Sequence, residues 1–159
     1  MRFLVAPSPD LAERARPPVR WFLTFTALLL LGMGAQRAAA GGLSPAGVEA
    51  RYLGPDGTEP MPAMALWEEL HQNAFVYGFL LLMLGSLVAI SPLPARGRRA
   101  LVLAASAAAL ADSAAPFAIV AAGGLGSLRV ITFASALAAL LVSVAVGWSA
   151  LRPPRHGDA

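Results

Sequence analysis

Four long apolar stretches, separated by short polar segments, dominate the pattern of hydrophobic and polar positions along the chain. Trp21 to Gln36 carries no charge over sixteen residues, and Leu70 to Ala95 none over twenty-six apart from His71. Ala100 to Leu128 holds only Asp112, and Val130 to Leu151 is uncharged over twenty-two residues. A helix that crosses a ~30 Å hydrocarbon core at 1.5 Å per residue needs roughly 20 mostly apolar residues. The pattern therefore predicts transmembrane helices near 19–36, 72–91, 100–122 and 130–150. The expected fold class is all-α, an integral-membrane antiparallel four-helix bundle forming one domain over 19–151. The flanking segments 1–18 and 152–159, rich in proline and arginine, are expected to be disordered tails.

The first stretch admits two readings. Arginines ahead of a short apolar core, followed by Ala38-Ala39-Ala40, also describe a secretory signal peptide cleaved after Ala40. The long leading region with Asp10 and Glu13 speaks for a retained span instead. Cleavage would reduce the bundle to three helices, and both readings leave the other three in the same orientation.

Charge supplies that orientation. Arg2, Arg14, Arg16, Arg20, Arg96, Arg98, Arg99, Arg152 and Arg155 fall on one side of the predicted spans, and only Arg37, Arg51 and Arg129 on the other. Nine against three places both termini and the loop Ser91 to Arg99 in the cytoplasm by the positive-inside rule. Trp21 and Trp148 fall near the inner ends and Trp67 near the outer one, as an interfacial aromatic belt requires. The net charge of +3 is therefore a topology signal and not a nucleic-acid footprint. The expected partners are the lipid bilayer together with other membrane subunits or further copies of the chain, and no nucleic acid. All twelve basic residues are arginine and 34 residues are alanine, a bias that points to a GC-rich bacterial genome and hence to an inner membrane. The absence of cysteine excludes disulfides, thiolate nucleophiles and sulfur-ligated metal sites within the chain.

Residues 37–71 form the main extracytoplasmic segment. Ser44-Pro45 has the form of an N-cap followed by proline at the first helical position, predicting a short helix over Pro45 to Leu53 that Gly54-Pro55-Asp56-Gly57 ends. Pro62 opens a second helix, which places Met64, Trp67, Leu70 and His71 on one face and runs into the second span. The segment is expected to pack as a helical cap on the outer end of the bundle.

Two polar residues near or inside the spans stand out. His71, at the outer boundary, is the candidate cofactor ligand, with haem the group considered. The only other histidine, His156, lies on the opposite side, so one chain does not make a bis-histidine site; the alternatives are Met61, Met64 or a second copy, or an interfacial histidine bonded to Glu68 or water. Asp112 lies about 18 Å from Ala100 by helix rise, close to the bilayer midplane. Pro116 lacks the amide that would bond the carbonyl of residue 112, so a carboxyl and a freed carbonyl share one level. Ser113 and Ser143 complete this intramembrane polar set. Ser135, Ala139, Ser143 and Gly147 recur every four residues as a helix-packing stripe. The two readings of Asp112 are a protonated side chain bonded across a tight helix pair, and proton or ion handling, for which a lone acid is poorly equipped. Tyr77 is expected roughly 9 Å from Asp112 by helix rise, so a relay from His71 would need ordered water.

Leu43-Ser44-Pro45, Val48, Tyr52 to Gly54, His71 with Phe75, Ser91-Pro92-Leu93-Pro94, and Asp112 through Ala115-Pro116 together resemble a group of small uncharacterised bacterial inner-membrane proteins with four predicted transmembrane helices. The resemblance covers about residues 43–120. In that group the start of the second span more often reads His-x-His-x-Phe, implying paired histidines, whereas Asn73 stands at the second position here. No nucleotide-binding, metalloprotease or hydrolase motif is present, and no catalytic site is expected. The function expected is a non-catalytic accessory or interaction subunit of a membrane complex. The alternatives are a haem- or metal-linked redox subunit using His71 and a small proton or ion pathway using Asp112.

Overall fold

A computed structural model of the chain describes residues 9–151. It contains five helices: α1 (Pro9–Ala39), α2 (Pro45–Leu53), α3 (Ala63–Ala89), α4 (Ala95–Ala122) and α5 (Gly126–Ala150). Segments 1–8 and 152–159, with Arg2, Arg152, Arg155 and His156, lie outside the described residues. All but α2 are long and apolar enough to cross a membrane.

The short helix follows its sequence signals. The Ser44 hydroxyl accepts from the Gly47 amide at 3.1 Å, Pro45 opens the first turn, and Gly54 ends the helix at φ +81°. Pro62 then starts α3, which passes without a break from the cap into the second span.

The long helices extend past their predicted starts. Helix α1 begins at Pro9, not near 19, so residues 9–18, expected to be part of a disordered tail, are helical. Pro9 occupies the first turn, where a missing amide is tolerated, and the good helix formers Leu11 to Arg16 continue it before Pro17 and Pro18. Helices α4 and α5 likewise start five and four residues before the expected 100 and 130, because the flanking arginines are helix formers as well as topology markers.

Helix α5 is the hub, in contact with all four others. Its buried face meets the alanine-rich face of α4, where Ala105, Ala109 and Ala115 let the backbones approach. The main core joins Leu23 and Leu30 of α1, Tyr77, Leu80 and Leu84 of α3, Ala109 of α4, and Ala136, Leu140 and Val144 of α5. A second core, Val48, Tyr52, Leu66 and Ile119, seats α2 on the bundle and defines what we term the cap end. Phe25, Leu28, Leu31, Phe75, Phe79, Leu82, Leu110 and Ile131 face outward, as lipid contact requires.

At the far end, Ser91 to Pro94 links α3 to α4. Nη1 of Arg98 donates to the carbonyls of Ser91 (3.2 Å) and Leu93 (2.9 Å), so this arginine fastens the loop.

Candidate functional site

Glu69 and Asp112, near the cap end, converge on one fully buried side chain, Arg129 of α5. Its Nη2 donates to Oε1 of Glu69 on α3 at 2.8 Å, and its Nη1 lies 2.9 Å from Oδ1 of Asp112 on α4. The second contact is off the hydrogen-bond direction and acts as a close charge pair. Tyr77 of α3 donates its hydroxyl to Oδ2 of Asp112 at 2.8 Å. Tyr52 of α2 donates to Oε1 of Glu69 at 2.7 Å, and Arg51 lies 3.6 Å from the other Glu69 oxygen. Four helices are thus joined through one guanidinium, whose planar fork suits two carboxylates at once.

Helix geometry explains the convergence. Glu69, Asn73 and Tyr77 are spaced four apart and form one stripe on α3. Arg129 stands in the first turn of α5 and Asp112 about 15 Å below the end of α4 by helix rise, a gap shared by the long arginine chain and the turns above it. Asp112 has 0% exposure, and an isolated carboxylate there would be strongly unfavourable. Arg129 supplies the compensating charge.

Burial raises the Tyr52 hydroxyl above its ordinary value near 10, opposed by the Arg129 charge and reinforced by the hydrogen bond to Glu69. Its bond to Glu69 therefore contributes fully below pH 10 and is lost as pH climbs through the raised value. An ultraviolet titration of the folded protein is expected to find Tyr52 protonated at pH 10, and a Tyr52→Phe variant to lose one of the two tyrosine steps.

Beside the network lies a half-enclosed cavity of about 180 Å³. Gln36 and Arg37 of α1, Arg51 of α2, and Glu69, Gln72 and Asn73 of α3 supply its polar lining, with Met33 and Phe133 as apolar wall. The Arg37 guanidinium stands 4.7 Å from the centre of the Phe133 ring, in a cation–π arrangement. Buried Nδ2 of Asn73 and Nε of Arg129 have no hydrogen-bond acceptor among the described residues.

The other residues singled out in the sequence fall elsewhere. Ser113 and Ser143 are buried but bond back to the carbonyls of Ala109 and Ala139, each at 2.8 Å, and not to Asp112. The expected packing stripe is rotated: Ser135 is exposed and Ala139 half-buried, while Ala136, Leu140, Ser143, Val144 and Gly147 are buried. Gly147 approaches Leu23 and Leu87, of α1 and α3. His71 is exposed, on the outward side of α3 with Met64, Trp67 and Phe75, whereas Leu70 turns partly inward. Met64 is two turns away, about 10 Å along the axis. Among the described residues, no group of three or more His, Asp or Glu side chains is placed to hold a metal.

Asp112 is the member of the site that the sequence makes legible; Arg129, Glu69, Tyr52 and the direct bond from Tyr77 emerge only in the structure. The usable signal was the polar stripe Glu69, Asn73 and Tyr77 on an otherwise apolar helix.

A family model described as a transmembrane helical domain matches residues 42–156. The match takes in α2 to α5 and leaves α1 outside it. It extends the resemblance read over 43–120 through the last span. No curated protein and no solved structure matches the chain.

Proposed function

The chain belongs to the Aq_1264_TM family of transmembrane helical domains, and from that premise we propose that it works as a non-catalytic accessory or interaction subunit of a membrane complex, with the cap end as its working end. The observation that carries this reading is that the charge network is open on one side only. Glu69, Arg51 and the cavity lead from the cap end inward to Asp112. Beyond Asp112 the interior is filled mainly by Leu80, Leu84, Ala109, Leu140 and Val144, and its buried hydroxyls, Thr26 and Ser143, are single groups on different helices. A proton or ion path needs polar groups or water across the whole bilayer, and this apolar half favours a rigid, ion-locked scaffold instead. Both carboxylates, buried Asp112 and half-buried Glu69, are engaged by Arg129, an arrangement poorly suited to general acid or base work.

Purification from native membranes in mild detergent is expected to yield a partner in stoichiometric amount. Proteoliposomes are expected to show the same proton and cation flux with the native chain, with Asp112→Asn and without protein. A flux that Asp112→Asn abolishes would overturn the reading in favour of the ion pathway.

The cap end is assigned to the extracytoplasmic side of a bacterial inner membrane. Arg20, Arg96 and Arg99 are exposed at the far end, whereas at the cap end Arg129 is buried, Arg37 half-buried and Arg51 exposed, so the surface asymmetry exceeds the bare count. Because the chain has no cysteine, Asp56→Cys and Arg96→Cys each create a single thiol. A membrane-impermeant maleimide applied to spheroplasts is expected to label the first and to reach the second only after lysis. The reverse pattern would invert the topology.

A further inference from the structure

Charge balance at the cap-end cavity is incomplete. Three arginines, Arg37, Arg51 and Arg129, meet two carboxylates, Glu69 and Asp112. Arg129 uses both acids, and Arg51 has the Tyr52 ring at 5.8 Å and a 3.6 Å contact to Oε2 of Glu69, whose Oε1 already accepts from Arg129 and Tyr52. Among the described residues Arg37 has no carboxylate within 4.0 Å and rests on the face of Phe133. One positive charge is left over at the half-enclosed cavity, shared between half-buried Arg37 and the more exposed Arg51.

The donors around that space point the same way. Asn73 has a buried amide nitrogen without an acceptor, and Gln36 and Gln72 add further amides. Two guanidinium groups with a surplus of N–H donors match the oxygens of a phosphoryl group, which accept bidentate contacts. Residues of α1, α2 and α3 line the cavity, with Phe133 of α5 in its wall.

We propose that this cavity is a binding site for a singly charged phosphate ester, held by Arg37, Arg51 and the Asn73 amide. A phosphodiester carries one negative charge, which balances the surplus. The chemistry is shared by an anionic phospholipid headgroup and by a soluble phosphate, and the inference holds whether the chain acts alone or within a complex.

The test uses the full chain, delipidated in nonionic detergent, with phosphatidylglycerol, phosphatidylcholine and inorganic phosphate as probes, read by native mass spectrometry and by the melting temperature. One phosphatidylglycerol per chain is expected, with no comparable retention of phosphatidylcholine. Arg37→Gln is expected to weaken binding roughly tenfold, the loss of one charge-assisted contact. Asn73→Asp leaves both arginines in place and cancels the surplus charge, so it is expected to abolish binding while raising the melting temperature of the ligand-free protein. Saturable binding of inorganic phosphate that displaces the lipid and is lost in both variants supports the site with a soluble ligand as its source. No saturable binding of either anionic probe, or binding unchanged in both variants, overturns the proposal.

Discussion

Arg129→Leu is expected to destabilise the folded protein by about 3–5 kcal/mol, the range for removing one partner of a buried ion pair. The substitution leaves Asp112, fully buried, with only the Tyr77 hydroxyl for compensation. Glu69 keeps Tyr52 and the more distant Arg51, so most of the loss falls on Asp112. Asp112→Leu made in the same chain removes the stranded carboxylate, and the double variant is expected to recover most of the stability. Equilibrium unfolding in mixed micelles, followed by tryptophan fluorescence, measures both variants and the coupling between them. Coupling below about 1 kcal/mol would mean that the pair is screened as a surface pair is. The same experiment bears on the proposed scaffold role, because a network that joins four helices should lose cooperativity along with stability when its centre is removed.

Why this network was only partly legible follows from the solvent. In a water-soluble helix the buried face is the apolar one, so periodicity reveals it. In lipid, Phe75 and Phe79 on the outward side of α3 are as apolar as Leu80 and Leu84 on the inward side, and the cue vanishes. Of the expected face Met64, Trp67, Leu70 and His71, all but Leu70 lie on the aromatic side of α3, which faces outward. Only polar residues break the symmetry, and Glu69, Asn73 and Tyr77 mark the inward side. Arg129 was missed for a related reason. Arginine at the end of a span is ordinarily a flanking residue with its charge in water, and its long stem lets the same position reach inward when an acid lies there. Local rules worked where the backbone itself decides: Ser44, Pro45 and Gly54 set the limits of α2 to the residue, and Pro62 set the start of α3.

The seat of the cap on the bundle yields the second large effect, in Gly126→Ala. Gly126 opens α5 directly beneath the first turn of α2, and a Cβ there would fall onto the Pro45 carbonyl oxygen and within 3.0 Å of Pro45 Cα. Those are backbone atoms, so no side-chain rotation relieves the overlap, and α2 has to move away. Moving it also separates the Gly126 amide from Oε1 of Glu49, which accepts from it at 2.9 Å and places a carboxylate at the positive end of α5. Arg51 and Tyr52 travel with α2, so the Glu69 contacts and one wall of the cavity are displaced together. The expected destabilisation is about 1–3 kcal/mol, the usual range for overpacking. Glu49→Gln, which keeps the shape and removes the charge, is expected to lose only about 0.3–1 kcal/mol. Gly85→Ala provides the contrast within a span: nothing lies within 4 Å of its Cβ position, and alanine is the better helix former by about 1 kcal/mol. Mixed-micelle unfolding of the three variants should therefore rank Gly126→Ala lowest and Gly85→Ala at or above the native chain. Equal effects at Gly126 and Gly85 would show that helix propensity, and not the close approach of α2 to α5, decides the outcome.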